Sequence, residues 1–188
     1  MSAPTRVAGQ GVGHDGSDVT WTVAEGRKGR RWREVISVGS AVVHALLLET
    51  DGHGRFTHLE LARVDGLWTL HPEPDRTLHG NHVGRGEGGI RHFVGLSFEH
   101  EDVFIVEGSP ISLAAAVYPR RASIIGGSSE DVPGVVVRVA GELDQVDSIH
   151  IERLSATRWR VADGTPFEVD ETGLPVLQGG QTRPLELG

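Results

Sequence analysis

Three histidines, His71, His79 and His82, fall inside the short stretch LHPEPDRTLHGNH at residues 70–82. Imidazoles this close together suit a metal site, a general base with its helpers, or a turn between strands. The chain has no cysteine, so a thiolate zinc site, a disulfide framework and a cysteine nucleophile are all excluded, and any metal must be held by His, Asp or Glu. Seven of the ten histidines (His44, His53, His58, His71, His79, His82 and His92) lie between residues 44 and 92. His58 and Glu60 are two apart on a strand-like run and so share a face, where they can ligate one cation or act as a base with an orienting carboxylate. A metal-dependent enzyme would gather His58, Glu60, His71, His79 and His82 around one ion. The spacing argues for less: there is no His-Glu-x-x-His, and His79 and His82 are three apart instead of forming His-x-His. Surface and hydrogen-bonded core histidines are the simpler reading.

Other constellations carry less. GRKGRRWR at residues 26–33 packs Arg27, Lys28, Arg30, Arg31 and Arg33 around Trp32, a basic island in an acidic chain. It suits a phosphate or an acidic headgroup with Trp32 stacking on a sugar or base, although a solvated approach to a strand explains it more simply. VGRGEGG at residues 83–89 lacks the strand–loop–helix context of a dinucleotide fingerprint and the Gly-Lys-Ser/Thr of a P-loop. No Gly-x-Ser-x-Gly elbow is present, and Ser109 in EGSPIS is explained as a helix cap. No catalytic residue and no cofactor is therefore expected. Trp21, Trp32, Trp68 and Trp159 sit on separate strand-like runs, where core packing is the default role.

The elements that would position these side chains read as an antiparallel all-β fold. Short runs such as VTWTVAE, WREVISV, AVVHALLLE, RFTHLELAR and GLWTLH recur between Gly, Asp, Asn and Pro punctuation. Asp-Gly in TDGHGR (50–55) and VDGL (64–67) marks hairpin turns, so three successive hairpin strands run from Ala41 to His71. The one helix signal is GSPISLAAAVYPRR: Ser109 caps, Pro110 takes the first helical position and Pro119 stops it, giving a short helix over 109–118. Residues 1–18 read as a flexible arm, 19–188 as one all-β domain, and 124–134 as a loop between two sheet-forming blocks. That many strands would roll or close into a barrel. Strand alternation places His44 with Leu46 and Leu48, His58 with Phe56 and Glu60, His71 with Leu67 and Thr69, and His92 with Ile90 and Val94. If the faces of His44 and His92 are both inner, the roll has a partly polar interior.

The formal charge is −8, from 18 basic and 26 acidic residues, which argues against nucleic acid as a partner. The N-terminus has no apolar leader and no run approaches the length of a membrane span, so a cytoplasmic protein without a transmembrane segment is expected.

GRRWREV, LLLETDGHGRFTHLELARVDGLWTLH, LHGNHV, VEGSPISLAAA and FEVDETGLPVL together resemble the bacterial glycolipid-binding family, over most of residues 19–178. That resemblance implies a spiral, rolled antiparallel sheet like that of periplasmic lipoprotein carriers, enclosing an apolar cavity. The family's Thr-Pro element and the run ending in paired arginines are only echoed, through Glu107, Ser109, Pro110, Arg120 and Arg121. The family's glycolipid activity is itself a reading of its fold.

The expected protein is thus a noncatalytic binder of an amphipathic small molecule, a lipid or glycolipid. His44, His58, Glu60, Trp68, His71 and His92 would line its cavity, and His79, Asn81 and His82 would close the mouth. Two alternatives stand beside it: the metal-dependent enzyme, and a structural module that self-associates through a sheet edge.

Overall fold

A computed structural model describes residues 5–85, 89–138 and 141–185. Among these, the strands are β1 (Thr5–Val12), β2 (Asp18–Gly26), β3 (Gly29–Val38), β4 (Ala41–Asp51), β5 (Phe56–Arg63), β6 (Gly66–Pro72), β7 (Thr77–Gly84) and β8 (Ile90–Ser97). After β9 (Val103–Val106) comes the helix α1 (Pro110–Val117), then β10 (Ser128–Val137), β11 (Leu143–Arg153), β12 (Arg158–Val161), β13 (Phe167–Val169), β14 (Pro175–Val176) and β15 (Gln178–Pro184). The chain divides into two compact units, the second being Phe98–Val176. The fold is all-β, with rolled sheets and one short helix, as expected.

The first unit is a nine-stranded antiparallel sheet in the order β15-β1-β2-β3-β4-β5-β6-β7-β8. The three hairpin strands expected from Ala41 to His71 are β4, β5 and β6. Period-two alternation gives this sheet one buried face: Trp21 and Val23, Trp32 and Ile36, Leu46 and Leu48, Leu59 and Leu61, Trp68 and Leu70. Each such side chain contributes about 1.5–3 kcal/mol on burial, which fixes the register, because a one-residue slip would turn the whole set outward. The turns do their part. Asp51 accepts from the backbone N–H of His53 and Arg55 in TDGHGR, and Gly66 sits at φ 151°, where a Cβ would fall 2.2 Å from the carbonyl oxygen of Val83.

Two expectations fail here for physical reasons. The expected arm over residues 1–18 contains β1, held between β2 and β15. Its glycines hide the strand pattern but serve the packing, since a Cβ at Gly9 would lie 2.2 Å from the indole of Trp21. The expected loop over 124–134 becomes strand from Ser128 onward. Pro133 cannot donate to a ladder and sits at the irregularity between Val132 and Gly134, the place a strand tolerates proline.

The second unit is a six-stranded sheet in the order β14-β13-β12-β11-β10-β9, so the strands fall in two sheets instead of one. β9 and β10 are parallel, and α1 is the crossover that a parallel pair requires. Ser109 caps α1 by accepting from Ser112 N–H at 3.0 Å, and Pro110 starts it. Pro119 falls in the 3-10 turn Tyr118–Ala122 that ends it.

Candidate functional site

Strand alternation splits the expected site between the two faces of the nine-stranded sheet. His44 and Trp68 belong to the buried face. His44 Nε2 lies 3.3 Å from Glu34 Oε1, with Glu34 on the neighbouring strand and only 1% exposed. The separation is within ion-pair reach, but the geometry is not that of a well-aligned hydrogen bond. Trp68 is fully buried and stacks on His82 (ring centroids 4.3 Å apart) and on Phe93 (5.2 Å). It is a core residue, which corrects its expected place in a cavity wall. His82 shares that face and lies 3.8 Å from Asp65.

His58, Glu60, His71, His79, Asn81 and His92 belong to the opposite face, so His92 does not share an inner surface with His44. Each polar contact there is local. His58 Nε2 is 3.3 Å from Glu60, His71 Nε2 is 2.9 Å from Glu73, and His92 Nδ1 is 2.6 Å from Asn81 Oδ1. Phe56, expected beside His58, is buried, because the β4–β5 register shifts between Glu49 and Thr50. His79 stands opposite His71 in the β6–β7 ladder. Among the described residues no three His, Asp or Glu side chains are grouped to hold a metal ion, so the set His58, Glu60, His71, His79 and His82 is not assembled as one centre.

The register of this outer face has a lateral order of its own. Cross-strand partners form one row through Arg33, Leu47, Glu60, Thr69, Asn81 and His92. The adjacent row is Val35, Ala45, Ala62, Leu67, Val83 and Ile90, aliphatic on all six strands. Leu67 is 42% and Ile90 59% exposed. Six strands at a spacing of about 4.8 Å make this an apolar lane about 24 Å long.

At its β3 end the lane opens into a groove of about 520 Å³ formed on β15, β1, β2 and β3. Val35 belongs to both. Arg6, Arg33 and Arg183 line the groove, and Gln10, Gln181 and Thr20 add neutral polar groups. Register explains the convergence: Arg183 is opposite Ala8, Ala8 opposite Thr22, and Thr22 opposite Arg33. Two arginines therefore flank a floor of small side chains, with Arg6 two residues along β1 from Ala8 on the same face.

Of the basic island at residues 26–33, only Arg33 reaches the groove. Arg30 is buried against Glu25 at 2.7 Å, Arg31 pairs with Glu49 at 2.6 Å, and Trp32 is fully buried under Arg30, unable to stack on a ligand. Arg6, Gln181 and Arg183 carried no signal in the sequence, because only the pairing of β1 with β15 brings the two ends of the chain together. In the second unit the paired arginines are structural. Arg120 pairs with Glu130 at 2.6 Å, and Arg121 donates to the Glu171 carbonyl and lies over the Tyr118 ring.

The fold belongs to the class of proteins built on a large antiparallel sheet and a smaller mixed one. Among solved structures it is similar to the crystal structure of a DUF1089 family protein from Pseudomonas aeruginosa, with a TM-score of 0.55 and 13% sequence identity over 84% of this chain and 86% of that one. The likeness is one of fold. No family model matches the chain, and no curated protein matches it. No helix among the described residues is long and apolar enough to cross a membrane.

Proposed function

We propose that the protein binds an amphipathic small molecule of the lipid or glycolipid class, without catalysis, on the outer face of the nine-stranded sheet. One observation carries this reading: the polar groove at β15-β1-β2-β3 runs at Val35 into an exposed aliphatic lane that crosses six strands. Contiguous exposed apolar surface on a soluble fold marks a binding face, and ligand sites join apolar area for affinity to a few polar groups for orientation. The resemblance to the glycolipid-binding family points the same way. The site differs from the one expected from the histidines: of those residues Glu60, Asn81 and His92 border the lane, whereas His44 and Trp68 lie beneath the sheet.

Calorimetric titration with dodecyl maltoside below its micellar concentration tests the reading. Saturable binding is expected, weakened by roughly tenfold or more in Leu67→Glu or Val83→Glu, since losing the burial of one such side chain costs about 1.5–3 kcal/mol. Equal affinity in both folded variants would overturn it.

A further inference from the structure

Resting on that reading, we infer that the ligand's head is an oxyanion, a phosphate or carboxylate, gripped by Arg6, Arg33 and Arg183. These three guanidinium groups come from β1, β3 and β15 and line one concavity. Five arginines elsewhere are placed on carboxylates, Arg30 on Glu25, Arg31 on Glu49, Arg120 on Glu130, Arg138 on Asp144 and Arg160 on Glu152, all within 3.0 Å. Among the described residues no carboxylate pairs with Arg6, Arg33 or Arg183. In a chain with 26 acidic and 18 basic residues, these three cations are gathered around one groove.

Among the described residues that line the groove the one acid is Glu34, and its carboxylate is turned by strand alternation to the buried face, where it meets His44. No described residue of the wall therefore neutralises the arginines. Their floor is Ala8 and Thr22, small enough for a head to descend between Arg33 and Arg183, whose Cα atoms are three strand spacings, about 14 Å, apart. Guanidinium forks match the planar, two-oxygen edge of phosphate and carboxylate, and such bonds are roughly twice as strong as neutral ones. The neighbouring row, Gln181, Gln10, Thr20 and Val35, then leads from neutral donors and acceptors to the start of the lane. Head and tail sites are contiguous on one face.

The test is titration at low salt with dodecyl phosphate, dodecanoate, dodecyl maltoside and inorganic phosphate, using wild type, Arg33→Gln, Arg183→Gln and the triple variant with Arg6→Gln. Circular dichroism checks that each remains folded. The expected result is dodecyl phosphate or dodecanoate binding at least tenfold tighter than dodecyl maltoside. That advantage should shrink with salt, fall in each single variant and vanish in the triple, where dodecyl phosphate loses more affinity than dodecyl maltoside. Equal affinity for charged and neutral heads would overturn the anionic head while leaving the amphiphile reading intact. Inorganic phosphate binding as tightly as dodecyl phosphate would overturn the inference by making this a free-anion site. No binding of any dodecyl compound would overturn both readings.

Discussion

Arg33 and Arg183 stand on one register row of the sheet, separated only by Ala8 and Thr22, although 150 positions divide them in the chain. The small floor between them is as much a part of the site as the cations. Ala8→Phe should fill it and weaken dodecyl phosphate binding by about tenfold or more, on the scale of one lost charge-assisted contact. The melting temperature should move little, because Ala8 is on the outer face and not in the core. Calorimetry and a thermal melt on the same sample check both halves.

Glu34 and His44 make the buried face polar at one point. Removing one member of a buried pair is destabilising, by about 3 kcal/mol or more, whereas replacing both with apolar groups is often close to neutral. His44→Leu alone should therefore destabilise, and adding Glu34→Leu should recover much of the loss. Urea denaturation of the two singles and the double gives the coupling directly.

Trp68 separates a core role from a lining role. Fully buried against His82 and Phe93, it should cost about 3–5 kcal/mol when truncated to alanine. The milder Trp68→Phe should stay folded and bind dodecyl maltoside as wild type does. A fall in affinity in that folded variant would place Trp68 in the binding surface after all.

Asp15 ties the turn between β1 and β2. Its carboxylate accepts from the Ser17 hydroxyl at 2.6 Å and the Ser17 N–H at 3.0 Å, and these bonds hold its pKa below the ordinary value of 3.8. A lowered carboxyl pKa means that the contribution to stability is complete above about pH 3.8. It is lost as pH falls from there through the lower folded value. Carboxyl-carbon NMR should show Asp15 titrating below 3.8, and Ser17→Ala should move it upward.

Much of the fold was legible in the sequence because the relevant signals are local. Alternation in β2 to β6, Asp-Gly turns, and the Ser109–Pro110 start of α1 each act within a few residues. The remaining elements depend on partners far along the chain. Thr5–Val12 is glycine-rich and reads as an arm until β2 and β15 enclose it, and Ser128–Val137 carries a proline that a bulge absorbs. The site was less legible for the same reason. Histidine density between residues 44 and 92 is a property of composition, and period-two geometry deals those side chains to opposite faces. The basic island at residues 26–33 held one groove residue, Arg33, but its companions come from the two ends of the chain.

The most direct measurement is methyl NMR of the protein with isotope-labelled valine, leucine and isoleucine, titrated with dodecyl phosphate. Shifts concentrated at Val35, Leu67, Val83 and Ile90 should saturate together, with buried Leu59, Leu61 and Leu70 unmoved. Shifts confined to the buried methyls, or none along the Val35–Ile90 lane, would contradict binding on the outer face.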